Sequence, residues 1–180
     1  LNKKNSIKML TEGGMMIALS ILLGRIKLYE APMGGSVTAG SMIPLMLFAI
    51  RWGIIPGIAV GATYGLLDFM LKPQFYHPIQ FILDYPMAFG LLGLAGLGYF
   101  TKNYDAKGYF NLILGIILGI GGRMISHVLS GVVFFAEYAG DKNPWIYSIQ
   151  YNAYYLIPEL IISIVVLALI WKPIKRTIVG

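Results

Sequence analysis

The run FNLILGIILGIGGRMISHVLSGVVFFA, residues 110–136, decides the fold. It is longer than the roughly 20 residues a helix needs to cross a hydrocarbon core, and its ionisable side chains are Arg123 and His127 alone. A helix apolar on every face is either buried or membrane-spanning. Five more apolar runs flank it, at 9–26, 40–51, 54–71, 79–100 and 148–171, separated by Gly, Pro and charge clusters. Six crossings consume about 120 positions of the 180 available. Composition agrees, with 57% hydrophobic and 12% charged residues, about half the charge of a soluble domain. The expected fold class is all-α, a single membrane domain of six transmembrane helices over residues 1–180. No room remains for a separate catalytic, nucleotide-binding or receptor domain. The run 40–51 is short for a full crossing and reads as tilted or partly re-entrant.

A net charge of +6 would suggest nucleic acid in a soluble protein. Here the cations sit at the edges of apolar runs, as membrane topology requires, so the expected surroundings are lipid and not nucleic acid. Alternating six spans places Lys3, Lys4, Lys8, Arg51, Lys102, Lys107, Lys172, Lys175 and Arg176 on one side. The other side receives Arg25, Lys27, Lys72 and Lys142. The positive-inside rule makes the first side, with both termini, cytoplasmic. The first apolar run lacks a small-x-small cleavage pattern and reads as a helix rather than a signal peptide. Cysteine is absent, which excludes disulfides, thiolate chemistry and zinc–sulfur sites. The chain has no GxxxxGK, HExxH or GxSxG pattern and no evident internal repeat. No catalytic residue and no metal site is expected.

Charges inside spans are expensive and therefore functional candidates: Glu12, Asp68, Asp84, Arg123, His127 and Glu159. Asp84 and Tyr85 follow the loop KPQFYHP, where the acid either neutralises a cationic ligand or pairs with Arg123. Arg123 and His127, four residues apart, share a helix face. Toward the same side come Ser130, Gly131, Phe134 and Phe135, then Tyr147, Gln150, Tyr151, Asn152, Tyr154 and Tyr155. Aromatic faces with a few convergent hydrogen-bonding groups suit a flat heteroaromatic ligand, although an interfacial aromatic belt accounts equally for any single ring. Gly14 and Ala18 form a small-xxx-small pair on the first helix, which allows another helix to approach closely. A pocket at one end and a docking face at the other suggest a transported ligand.

Five segments in this order and spacing resemble the thiamin-specific S-component of energy-coupling factor transporters: PMGGSV (32–37), RWG (51–53), HPIQFILDY (77–85), HVLSGVVFF (127–135) and PWIYSIQYNAYYLIP (144–158). The likeness covers nearly the whole chain. It implies a six-helix bundle in a bacterial cell membrane, with thiamin bound near the extracellular face. It also implies docking to a transmembrane coupling subunit that sits on two ATPase subunits, with no catalysis by this chain. Position by position, the family's ligand-binding acid falls on Asp84, its neighbour on Tyr85, its histidine on His127, and its tyrosine and asparagine of the last helix on Tyr147 and Asn152. Tryptophans that some members stack on the ligand fall on Phe135 and Gly35, so Trp145 or Tyr76 is the candidate to supply the missing face. The family's docking motif falls on Gly14 and Ala18.

The residue chemistry fits thiamin independently. Its thiazolium is permanently cationic, which suits an acid and aromatic faces. Its aminopyrimidine offers donors and acceptors that His, Tyr and Asn read. Few cations lie in the outer loops, which favours free thiamin over its diphosphate. Three other readings stand beside this one: an S-component for another flat vitamin or a thiamin precursor, such as riboflavin; an intramembrane enzyme using Asp84 and His127 as acid and base; and a structural membrane subunit whose polar residues pair internally. Against the enzyme, no third orienting group is evident at compatible spacing.

Overall fold

Helices form where apolar runs predict them, and their irregularities follow from proline and glycine. The computed structural model describes residues 3–32, 34–100 and 106–179, with side chains at all of these except 99, 100, 106, 107 and 172–179. Met33 and Lys102, and the side chains of Lys107, Lys172, Lys175 and Arg176, fall outside the described residues.

The helices are α1 (Lys3–Arg25), α2 (Ile43–Trp52), α3 (Ile54–Leu71), α4 (Pro78–Gly98), α5 (Ala106–Phe134) and α6 (Pro144–Val179). All but α2 are long and apolar enough to cross a membrane. The 10 residues of α2 span about 15 Å, half a hydrocarbon core. It is apolar on every face because it is the centre of the bundle: Leu45, Met46, Phe48 and Ala49 are all buried. Gly53 ends it with φ 95°, and the Gly53 N–H returns to the Ala49 carbonyl at 2.7 Å. The expected tight turn at Arg51-Trp52-Gly53 is therefore present, while a full second crossing is not what α2 supplies.

α3 and α4 meet backbone to backbone. Gly57, Gly61 and Gly65 recur every fourth residue on α3, and from Leu91 α4 winds as a 3-10 helix that runs on past Gly98 to Phe100. At three residues per turn, Gly93 and Gly96 fall on one face. A Cβ on Gly61 would collide with the Phe89 carbonyl oxygen, and one on Gly93 with the Ile58 backbone nitrogen. Only glycine permits that approach.

The segment 27–39, expected as loop, contains a small antiparallel hairpin of β1 (Lys27–Glu30) and β2 (Ser36–Thr38). The all-α expectation is corrected to that extent. Gly34 makes the turn with φ 95°, and the Gln74 amide occupies the space its Cβ would need. At the other end of the molecule, Glu12 of α1 pairs with Arg51 Nε at 3.0 Å and accepts from Trp52 Nε1 at 2.8 Å. One intramembrane acid is thus explained as an anchor of α1.

Candidate functional site

A cavity of about 410 Å³ opens beneath the hairpin and is walled by α3, α4, α5 and α6. The α4 wall begins with a cap that the sequence dictates. His77 Nδ1 accepts from the Ile79 N–H at 3.1 Å, Pro78 stands in the first turn, and the His77 ring stacks on Phe134. The helix then widens into a π turn over Leu83–Met87, where Pro86 has no N–H to donate. The Leu83 carbonyl is met by the Ser126 hydroxyl of α5 at 2.6 Å.

Asp84 sits in this π turn, part-buried, at the centre of a hydrogen-bond network. Its Oδ2 accepts from Gln80 Nε2 at 2.7 Å and from the Ser130 hydroxyl at 2.8 Å. Its Oδ1 lies 3.0 Å from His127 Nδ1. Arg123 Nε donates to His127 Nε2 at 3.2 Å, which leaves Nδ1 as the protonated nitrogen that donates to Asp84. The Arg123 guanidinium lies 4.1 Å over the Phe89 ring. Arg123 therefore does not pair with Asp84 directly; it orients the histidine that does.

Of the residues expected at the site, Asp84, Tyr85, His127, Phe135, Tyr147 and Asn152 all border the cavity. Trp145 does not: it is half-exposed in the first turn of α6, its N–H on Asn143 Oδ1 at 2.9 Å. Tyr76 does border the cavity, its ring edge-on to Phe135 at 5.0 Å. At Gly35 the space for a side chain is filled by Tyr155 and Tyr151, and the Tyr151 hydroxyl accepts from the Gly35 N–H at 3.1 Å. Asn152 is held by its own helix, giving Nδ2 to the Ser148 carbonyl and accepting from the Tyr155 hydroxyl. Gly14 and Ala18 do not border this cavity and are exposed on α1.

Two cations, Lys72 of the loop before α4 and Arg123 of α5, also border the cavity. Lys72 is engaged: Glu30 of β1 bridges Lys27 at 2.6 Å and Lys72 at 3.1 Å. The hydrogen bonds from Lys27 and then Lys72 hold Glu30 below the usual carboxylate range, and Glu30 raises Lys27 in return. Ser130, which the sequence places toward the same side as His127, and Gln80, which it does not single out, complete the Asp84 shell.

These features define a helical membrane protein with a polar and aromatic cavity of small-molecule size. The chain belongs to the family described as Thiamine transporter protein (Thia_YuaJ), which it matches over residues 10–179. It is 34% identical to the thiamine transporter ThiT of Bacillus subtilis, over 98% of this chain and 96% of that protein. It is 32% identical to ThiT of Lacticaseibacillus paracasei, over 72% of this chain and 70% of that protein. A solved structure of ThiT from Listeria monocytogenes superposes with a TM-score of 0.82 at 25% identity, covering 94% of this chain and 96% of that one. The relatives are bacterial, and the chain is a multi-pass membrane protein.

Proposed function

We propose that this chain is the thiamin-binding S-component of an energy-coupling factor importer, non-catalytic in itself. The carrying observation is the Asp84 network: a carboxylate oriented by Gln80, Ser130 and His127 at the wall of a cavity edged by Tyr76, Tyr85, Phe135 and Tyr147. A permanently cationic thiazolium gains from the carboxylate by charge and from the rings by cation–π attraction. Asp84, Tyr85, His127, Phe135, Tyr147 and Asn152 are the proposed thiamin contacts, with Tyr76 in place of Trp145 as the additional aromatic face. Lys72 and Arg123 already have partners, which supports free thiamin over its diphosphate.

In this reading the molecule is one domain of six spans, α2 completing the second with its flanking residues, and both termini are cytoplasmic. The hairpin end is then extracellular. Gly14 and Ala18 on the exposed face of α1 dock to a transmembrane coupling subunit carried on two ATPase subunits. Titration of the purified chain with thiamin, riboflavin and biotin tests the assignment. Saturable binding of thiamin alone is the expected result, and preference for riboflavin or no binding of thiamin overturns it.

A further inference from the structure

Glu159 takes no part in the Asp84 network. It stands on α6 one turn beyond Tyr155, is 2% exposed, and borders the same cavity. Its Oε1 accepts both the Thr38 backbone N–H, at 2.5 Å, and the Thr38 hydroxyl, at 2.6 Å. The Ser41 N–H donates to that hydroxyl oxygen at 3.0 Å, which uses its acceptor side and leaves its hydrogen for the glutamate. The carboxyl is therefore locked in orientation from the β2 side. Its other oxygen, Oε2, is buried and has no hydrogen-bond partner among the described residues.

A buried carboxyl oxygen without a partner is costly, the more so within a membrane. Glu159 borders the cavity, and an occupant that reaches Oε2 with an N–H or O–H supplies the bond it lacks. We propose that Glu159 Oε2 is a second ligand-recognition point of the cavity, separate from Asp84, which takes one hydrogen bond from a donor group of the bound molecule. The inference rests on thiamin as the occupant. Asp84 supplies negative charge through oxygens that already accept three hydrogen bonds; Glu159 supplies the open acceptor. Thiamin has two donors of the required kind, the pyrimidine amino group and the hydroxyl of its side arm.

The test titrates the detergent-solubilised full chain with thiamin, with oxythiamin, in which an oxo group replaces the amino group, and with the analogue whose hydroxyl is replaced by hydrogen. Glu159→Gln keeps an oxygen for Thr38 and turns the free oxygen into an amide donor. Its affinity for thiamin is expected to fall by about tenfold to a hundredfold. Discrimination against one of the two analogues collapses in the same variant, because that analogue has already lost the bond, and the analogue concerned identifies the donor. Thr38→Val removes the hydroxyl tie while leaving Oε2 in place, and is expected to retain the discrimination. Wild-type affinity and discrimination in Glu159→Gln, as a buried water on Oε2 would produce, overturn the proposal. So does an equal loss for all three ligands that Thr38→Val reproduces, which would make Glu159 an anchor of the hairpin only. Should Glu159→Gln not fold, Glu159→Asp withdraws the oxygen by one methylene and carries the same expectations. If the wild-type chain binds no thiamin, the functional reading fails first and this inference with it.

Discussion

Asp84 shows how one carboxylate is kept available in an apolar surrounding. Each of its oxygens has a donor from a different direction, Gln80 on its own helix and His127 and Ser130 on α5, so the group is oriented before any ligand arrives. Asp84→Asn retains the shape and one acceptor. The Ser130 hydroxyl can rotate to accept, whereas the Gln80 amide can turn over only by giving up the Tyr76 N–H that its Oε1 accepts at 3.1 Å, a cost the melt reads. Folding is therefore expected to survive while thiamin affinity falls by about 1–3 kcal/mol. Calorimetric titration beside a thermal melt checks this, and unchanged affinity in a folded variant would assign Asp84 to internal pairing. At this scale the sequence was informative wherever a charge interrupted an apolar run: Asp84 and His127 stand out, as does Glu159. It was silent where the signal is a neutral side chain meeting a distant element. Thr38 reaches Glu159 across 121 residues and Ser126 reaches the Leu83 carbonyl across 43, separations at which no spacing rule operates.

The elements divide between those read from hydropathy and those shaped by packing. α3 begins and ends where the sequence places it, because Gly53 and the polar residues after Leu71 mark both ends. The changes of helix type within α4 were not legible, since they arise from contact with α3 and from Pro86 rather than from periodicity. The α3–α4 seam makes its own prediction. Gly61→Ala drives a methyl into the Phe89 carbonyl and is expected to cost about 1–3 kcal/mol by overpacking. Gly14→Ala meets nothing within 4 Å and should hold or raise the melting temperature, since Ala favours the helix over Gly by about 0.5–1 kcal/mol. The hairpin is tied to α6 through Tyr151 and Glu159 and to α3 through Glu30 and Lys72. Because the hydrogen bonds from Lys27 and Lys72 hold Glu30 below its ordinary range and Glu30 holds Lys27 above its own, the cluster is intact between the usual Glu and Lys ranges; it is lost as pH falls through the lowered Glu30 value or rises through the raised Lys27 value. Glu30→Gln is thus expected to speed thiamin release to the same degree at every pH from about 6 to 8. Stopped-flow dissociation decides it, and a difference that varies across that window would place the responsible titration elsewhere.

For the whole molecule, the proposed function assigns the cavity to the ligand and the exposed small residues of α1 to a partner. Gly13 faces inward against Val60 and Phe48, and Glu12 ties the same turn to Arg51 and Trp52. α1 is consequently held in one rotation, with Gly14 and Ala18 outward among exposed Leu10, Met15 and Leu22. The pair therefore does not pack inside the bundle, which removes the main structural explanation for small residues at these positions. A flat stripe on a fixed helix is a suitable surface for a second protein's helix, since close approach is gained without repacking the fold. Gly14→Trp and Ala18→Trp should leave thiamin affinity and thermal stability close to wild type, because the added bulk projects away from the bundle and the cavity. Uptake by cells or vesicles carrying the coupling and ATPase subunits should be abolished. Vesicles carrying this chain alone should bind thiamin without concentrating it, because the chain has no nucleotide motif to drive uphill movement. Binding and uptake measured on the same variants distinguish the possibilities: joint loss with a lowered melting temperature would return Gly14 and Ala18 to a role in folding, and undiminished uptake would place the docking face elsewhere.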